Sequence, residues 1–286
     1  MPAGARRMRA SKFRNVGFCG RAGAFSPRPA FPPDFFCTKE LSIIVHLIAD
    51  LHLGASVNKP MQVFGPEWDN HTEKIRREWL ARVDAQDTVF LPGDLSWGID
   101  LQEALADFFF LDALPGKKIL SKGNHDYWWT TVSKMQNFLL AHGITSIDFL
   151  HNNAYAAEGM IFCGAKGYQW DAQQSAAQNE KLINREAMRL ELSLERGAAL
   201  RGSLPGYEHA ELIALLHYPP VSPGQKSRRL LEILLKYGVR RCFYGHIHGP
   251  GKATAVTGLY EGVEFSLISA DFLSFCPQKL NKTVSF

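Results

Sequence analysis

Five apolar, strand-like runs in this chain each end in a short polar cluster, and that recurrence restricts the fold more than any other feature. The runs cover residues 41–49, 87–92, 117–122, 210–216 and 239–244, rich in Ile, Val, Leu or Phe and short enough for buried strands. The clusters are Asp50-Leu51-His52, Gly93-Asp94, Gly123-Asn124-His125-Asp126, His217 and Gly245-His246-Ile247-His248. Residues 71–83, 101–114, 130–142, 176–199 and 227–238 read as helices, the fourth with Ile183, Ala187, Leu190 and Leu194 at helical spacing. Strands alternating with helices predict an α/β fold, whose ligand sites lie in a crevice beyond the carboxyl ends of the strands. Glu158-Gly159, between apolar runs at 154–157 and 160–164, reads as a hairpin turn and predicts some antiparallel pairing.

The clusters share one chemistry. Asp, His and Asn are hard or borderline donors suited to Zn, Mn, Fe or Mg, and together they supply a ligand set for two metal ions. In an extended segment residues i and i+2 point to the same side, so Asp50 with His52, and His246 with His248, are expected to converge.

The ordered series D-x-H, G-D, G-N-H-D, H, G-H-x-H is similar to that of the calcineurin-like metallophosphoesterase superfamily, and it spans Asp50 to His248. The flanking text Gly65-Pro66-Glu67-Trp68, with residues 122–129, 217–220 and 269–275, resembles a bacterial subfamily of predicted phosphohydrolases. The resemblance implies a two-layer β-sandwich flanked by helices, four layers in the order α/β/β/α. It implies that Asp50, His52 and His248 hold one divalent ion, that Asn124, His217 and His246 hold the other, and that Asp94 bridges them. A carboxylate can give one anionic oxygen to each of two cations, which agrees with the bridging role. Two such ions carry four positive charges and Asp50 and Asp94 return two, so the centre favours a hydroxide and an anionic phosphate group. The implied reaction is hydrolysis of a phosphate ester by attack of a metal-bound hydroxide, with His125 as general acid to the leaving oxygen.

Protein serine/threonine phosphatases of this superfamily carry G-D-x-V-D-R-G, whereas here the text is Gly93-Asp94-Leu95-Ser96-Trp97-Gly98. Without that Arg, a protein phosphatase is disfavoured, and phosphate falls to the metals, Asn124, backbone amides or a basic residue from elsewhere. Lys166, in the Gly-bounded loop after residues 160–164, is the candidate for this extra anion contact, while Arg185 reads as a surface cation. Asp126 has two open roles, orienting His125 or capping the following helix. Tyr127, Trp128 and Trp129 read as core rather than as a cleft wall.

Composition matches a soluble enzyme, 46% hydrophobic and 21% charged, with no apolar run near the roughly 20 residues a membrane span needs. Residues 1–40 hold six Arg and two Lys against only Asp34 and Glu40, so the net charge of +4 belongs to this segment. They read as a basic, flexible extension without a secretory signal, followed by a single catalytic domain over residues 41–286. That domain is slightly acidic, which favours a small phosphate ester over nucleic acid and disfavours the alternatives of a nuclease or nucleotide phosphodiesterase. A non-catalytic scaffold of the same fold is disfavoured because the full donor set and His125 are present. The five cysteines, at 19, 37, 163, 242 and 276, show no C-x-x-C spacing. They imply neither a zinc knuckle nor a disulfide framework, and the expected compartment is the cytoplasm.

Overall fold

The computed structural model describes residues 43–281, and the chain divides into two units, Met1–Leu41 and Ser42–Phe286. The expected basic extension over residues 1–40 lies outside the described residues, as do Cys19 and Cys37.

Four short strands open the fold, β1 (Val45–Leu47), β2 (Thr88–Pro92), β3 (Lys117–Ser121) and β4 (Ile147–Phe149), parallel and side by side in that order. Next come β5 (Ala154–Ala157), β6 (Met160–Ala165), β7 (Glu211–Leu216), a separate small hairpin of β8 (Val221–Ser222) and β9 (Gln225–Lys226), then β10 (Arg241–Tyr244), β11 (Gly258–Tyr260) and β12 (Val263–Leu267). The second sheet has the order β11-β12-β10-β7-β6-β5. Its four central strands are parallel, and β5 and β11 are antiparallel at the edges. β13 (Gln278–Leu280) returns to pair antiparallel with β1 and completes the first sheet. The Glu158-Gly159 turn between β5 and β6 has φ of 50° and 69°, the left-handed pair that a tight two-residue hairpin requires.

Parallel neighbours need a crossover, and helices supply it. They are α1 (His71–Leu80), α2 (Leu105–Asp112), α3 (Val132–Ala141), α4 (Ala176–Ser203) and α5 (Arg228–Lys236). The strands are buried on both faces, so each alternates between two apolar layers. Phe90 and Ile119 of the first sheet meet Phe162, Ile213 and Leu215 of the second between the sheets, with Phe90 stacked on Phe162 at 4.2 Å. On the outer face of the first sheet, Val89, Leu91 and Leu120 pack on Ile75 and Trp79 of α1, Phe108 of α2 and Met135 of α3. On the outer face of the second, Ile161, Cys163, Leu212 and Cys242 pack on Ala187, Leu190 and Leu194 of α4 and on Leu230 and Leu234 of α5. The result is the expected four-layer α/β/β/α sandwich.

Several boundaries differ from the sequence expectation: α1 stops at Leu80, and α2, α3 and α5 are each trimmed at both ends. Residues 101–104 form turns before α2, and α4 runs on to Ser203. α4 lies close against β6. Gly164 N–H donates to Ser193 Oγ at 2.8 Å, and Ser193 Oγ–H donates to Asn153 O at 2.6 Å. A Cβ placed on Gly197 would overlap Cys163 Sγ. Gly197→Ala should therefore lower stability by about 1–3 kcal/mol through overpacking, despite a helix-propensity gain of about 1 kcal/mol. Adding Cys163→Ala should recover most of the loss in urea unfolding; a stabilised single variant would contradict the close approach.

Candidate metal centre

All five polar clusters lie on loops past the carboxyl ends of β1, β2, β3, β7 and β10. The two sheets are tied together at this edge. Ala49 N–H donates to Ile268 O at 2.8 Å and Ala270 N–H to Ala49 O at 2.9 Å, while Asp50 N–H donates to Gly93 O at 3.0 Å. The backbone here is not extended as the i, i+2 argument assumed. Asp50, His52, Asp94 and His246 have φ of 60°, 46°, 52° and 72°. Left-handed residues cost about 1–3 kcal/mol each and persist only where the surroundings over-determine them. The side chains converge because the loops fold back at these residues, not because a strand alternates.

Within this volume the ligand atoms of Asp50, His52 and His248 lie within 4.8 Å of one another, and so do those of Asp94, His217 and His246. Asp94 Oδ2 lies 3.8 Å from His52 Nε2 and 3.4 Å from His217 Nε2, so one carboxylate faces both groups. Asn124 Oδ1 is 2.6 Å from His217 Nε2, and His52 Nε2 is 3.3 Å from His248 Nε2. Asp50, on the first sheet, accepts the N–H of His246, on the second, at 3.1 and 2.9 Å through its two oxygens. The structure thus gathers the expected donors, with Asp94 Oδ2 facing both groups and Asn124 Oδ1 beside His217 of the second.

The donor set fits divalent cations. His217 Nδ1 faces Pro92 O at 3.3 Å while Nε2 faces Asn124 Oδ1 and Asp94 Oδ2. Acceptors on both sides of one ring require either imidazolium or a cation at one nitrogen. Burial holds His217 below the ordinary imidazole range, which disfavours imidazolium. Burial, and then repulsion from Asp50, push the Asp94 carboxyl up to about 8. Burial pulls His248 down, but Asp50 and the hydrogen bond to Asp271 outweigh it and hold this ring up at about 10. His246, pushed down to about 3 by burial and His217, stays neutral and keeps a lone pair free. Both shifts hold a proton more tightly in the two donor groups, at Asp94 in one and His248 in the other, and a cation bound there would displace it.

Other side chains hold these donors in place. Asp271, which sequence reasoning missed, accepts from His248 Nδ1 at 2.8 Å and from Gly249 N–H at 3.1 Å, fixing the tautomer that leaves Nε2 facing Asp50. Its signal was present, since Ser269-Ala270-Asp271 is one more polar cluster after the apolar strand β12. Trp97 stacks on His52 at 5.0 Å and tilts over His125 at 4.4 Å. His125 N–H donates to Asp94 Oδ1 at 2.7 Å, and its buried Nδ1 has no partner. Lys166 holds the neighbouring loop by its carbonyl, which accepts from His217 and Tyr218 N–H at 3.2 and 2.8 Å. Its ammonium lies 5.4 Å from the Tyr218 ring. Trp128 and Trp129 are buried in the core as expected, and Tyr127 is exposed.

Asp126 corrects both roles considered for it. It does not cap α3, whose N-cap is Thr131, and its hydrogen bonds go elsewhere than the His125 ring. The fully buried carboxylate accepts from Gly123 N–H at 2.7 Å, Asp94 N–H and Leu95 N–H at 2.9 Å each, and Trp128 Nε1 at 3.1 Å. It clasps the Gly93-Asp94 loop to the Gly123-Asn124 loop, a contact between strands 30 residues apart in sequence that no local pattern reveals. Asp126→Asn sets an amide NH₂ against these donors and should cost about 2–4 kcal/mol, since hydrogen bonds to charged groups contribute about 1.5–3 kcal/mol. Chemical denaturation checks this, and an unchanged midpoint would contradict the clasp.

The model of the calcineurin-like phosphoesterase family matches residues 44–250. No curated protein matches the chain. Among solved structures, a protein of unknown function from Aquifex aeolicus is similar at 15% identity and a TM-score of 0.47, over 83% of this chain and 96% of its own. A phosphopantetheinyl hydrolase from Mycobacterium tuberculosis is similar at 14% identity and a TM-score of 0.45, over 83% of this chain and 95% of its own. With the family model covering most of the chain and both donor groups in place, the chain belongs to the calcineurin-like phosphoesterases, metal-dependent hydrolases of phosphate esters that use two divalent ions.

Proposed function

We propose that this protein hydrolyses a small phosphate ester at a dinuclear centre, with Asp50, His52 and His248 holding one ion, Asn124, His217 and His246 the other, and Asp94 bridging. The observation that carries this reading is the Asp94 carboxylate facing both donor groups at 3.8 and 3.4 Å. Divalent ions held there supply Lewis acidity and a hydroxide nucleophile at neutral pH. Asn124, whose Oδ1 faces His217, has its amide NH₂ left to donate to a phosphoryl oxygen in this reading.

His125 is the general acid in this reading. Its ring is half-buried beside the donors, and its backbone is pinned to Asp94. Burial and His217 hold its imidazole below the ordinary range. A bound phosphate pulls in the opposite direction, so the proton is best held when substrate is present. Lys166 supports phosphate binding at longer range. No helix among the described residues is long and apolar enough to cross a membrane, and Cys163, Cys242 and Cys276 are free thiols, which supports a reducing cytoplasm as the compartment. The complete donor set argues against a scaffold role, and the slightly acidic domain argues against a nuclease.

His125→Ala should retain both ions while kcat falls by about 10²-fold or more, as for a lost general acid. The penalty should shrink for aryl phosphates with good leaving groups. Equal losses on alkyl and activated aryl phosphates would show that His125 does not protonate the leaving oxygen.

A further inference from the structure

Beside the metal centre four cations gather around one carboxylate. Glu186 of α4 is fully buried, and its Oε1 accepts from Arg189 Nη1 at 2.8 Å and Arg185 Nε at 3.3 Å. Its Oε2 has no partner, and neither have the buried Ser121 Oγ and Asn152 Oδ1. These three residues line a small cavity of about 10 Å³ together with Lys122 and Lys166, about the size that holds one water. From Lys122 and Arg189 the surface opens into a groove of about 530 Å³, lined also by His151, Trp129, Thr130 and Thr131.

This cluster adjoins the reaction site along the chain. Lys122 directly precedes Gly123-Asn124, and the carbonyl of Lys166 holds His217. Both follow parallel strands, β3 and β6, at the edge where the donors lie. The like charges of Lys122, Lys166 and Arg189 thus line one small cavity, with Glu186 as the one carboxylate in its lining. An anion in the groove would relieve that repulsion, and Glu186 keeps the Arg189 guanidinium turned to its place.

We propose that Lys122 and Arg189, which line the groove, with Lys166 behind them at the small cavity, form an anion subsite that takes a second phosphate or carboxylate group of the substrate, so that the substrate is a small ester with two anionic groups. This rests on the phosphoesterase reading above. Glu186 is a positioning residue. It makes no contact with the substrate.

The test measures kcat/KM of the Mn-loaded protein on α,ω-alkanediol monophosphates of two to six carbons, on the corresponding bisphosphates, and on ω-carboxyalkyl phosphates of the same lengths. One of the two doubly anionic series should exceed the neutral-ended one by tenfold or more at an optimal length, and which series does so separates phosphate from carboxylate. Lys122→Met should remove that advantage. So should the double variant Glu186→Gln/Arg189→Met, which removes the buried carboxylate together with its nearest guanidinium partner. Inorganic pyrophosphate titrated calorimetrically into chelator-treated protein should bind at least tenfold more weakly to Lys122→Met than to the parent. Equal kcat/KM across all series, an advantage that survives both variants, or equal pyrophosphate binding overturns the subsite while leaving the phosphoesterase reading intact. Faster cleavage of oligonucleotides than of any small ester overturns the substrate class. No hydrolysis of any ester overturns the phosphoesterase reading, and the subsite falls with it.

Discussion

The rest of the structure depends on one electrostatic problem, the burial of two carboxylates and four imidazoles in a single volume between two sheets. Removing a charge from water costs several kcal/mol per ion unless it is paired and hydrogen-bonded. Asp50 and Asp94 are both buried, and burial together with their repulsion raises Asp94. Divalent cations solve the problem, which is why the donors can be packed so closely. They can be brought so close only because both sheets end at the same edge and exchange backbone hydrogen bonds there, from Ala49 to Ile268 and from Ala270 to Ala49.

That packing leaves no room at two backbone positions. A Cβ on Gly123 would overlap the Asp94 carboxylate, and one on Gly245 would overlap the Asp50 carboxylate. Glycine is required at both by close approach rather than by turn geometry. A second layer of carboxylates then fixes the loops. Asp126 ties two loops of the first sheet, and Asp271 orients His248 from the second. The strain of four left-handed residues is offset by these contacts, so the centre is set by the fold before any ion binds.

The parallel core was legible in the sequence because strands buried on both faces read as continuous apolar runs, and the polar clusters mark where those runs stop. The five helices were legible from their period. β4, β8, β9, β11 and β13 were not, being two or three residues long, too short for any period to show; their pairing is decided by neighbours distant in sequence. At the site, residue identity told which side chains hold charge, but not how they meet. Asp50 and His52 converge through left-handed backbone where extended alternation was expected, and Asp126 serves donors on another loop. Lys166 holds His217 and Tyr218 through its carbonyl, which no side-chain pattern can express. Asp271 carried a readable signal and was passed over because the metal-donor pattern was complete without it.

The central claim is that one carboxylate, Asp94, joins two metal sites. Anomalous diffraction from crystals of the Mn-loaded protein tests it most directly. The account predicts two Mn peaks, one among Asp50, His52 and His248 and one among Asn124, His217 and His246, with Asp94 in the coordination sphere of both. A single peak, or two peaks with Asp94 bound to only one, would contradict it.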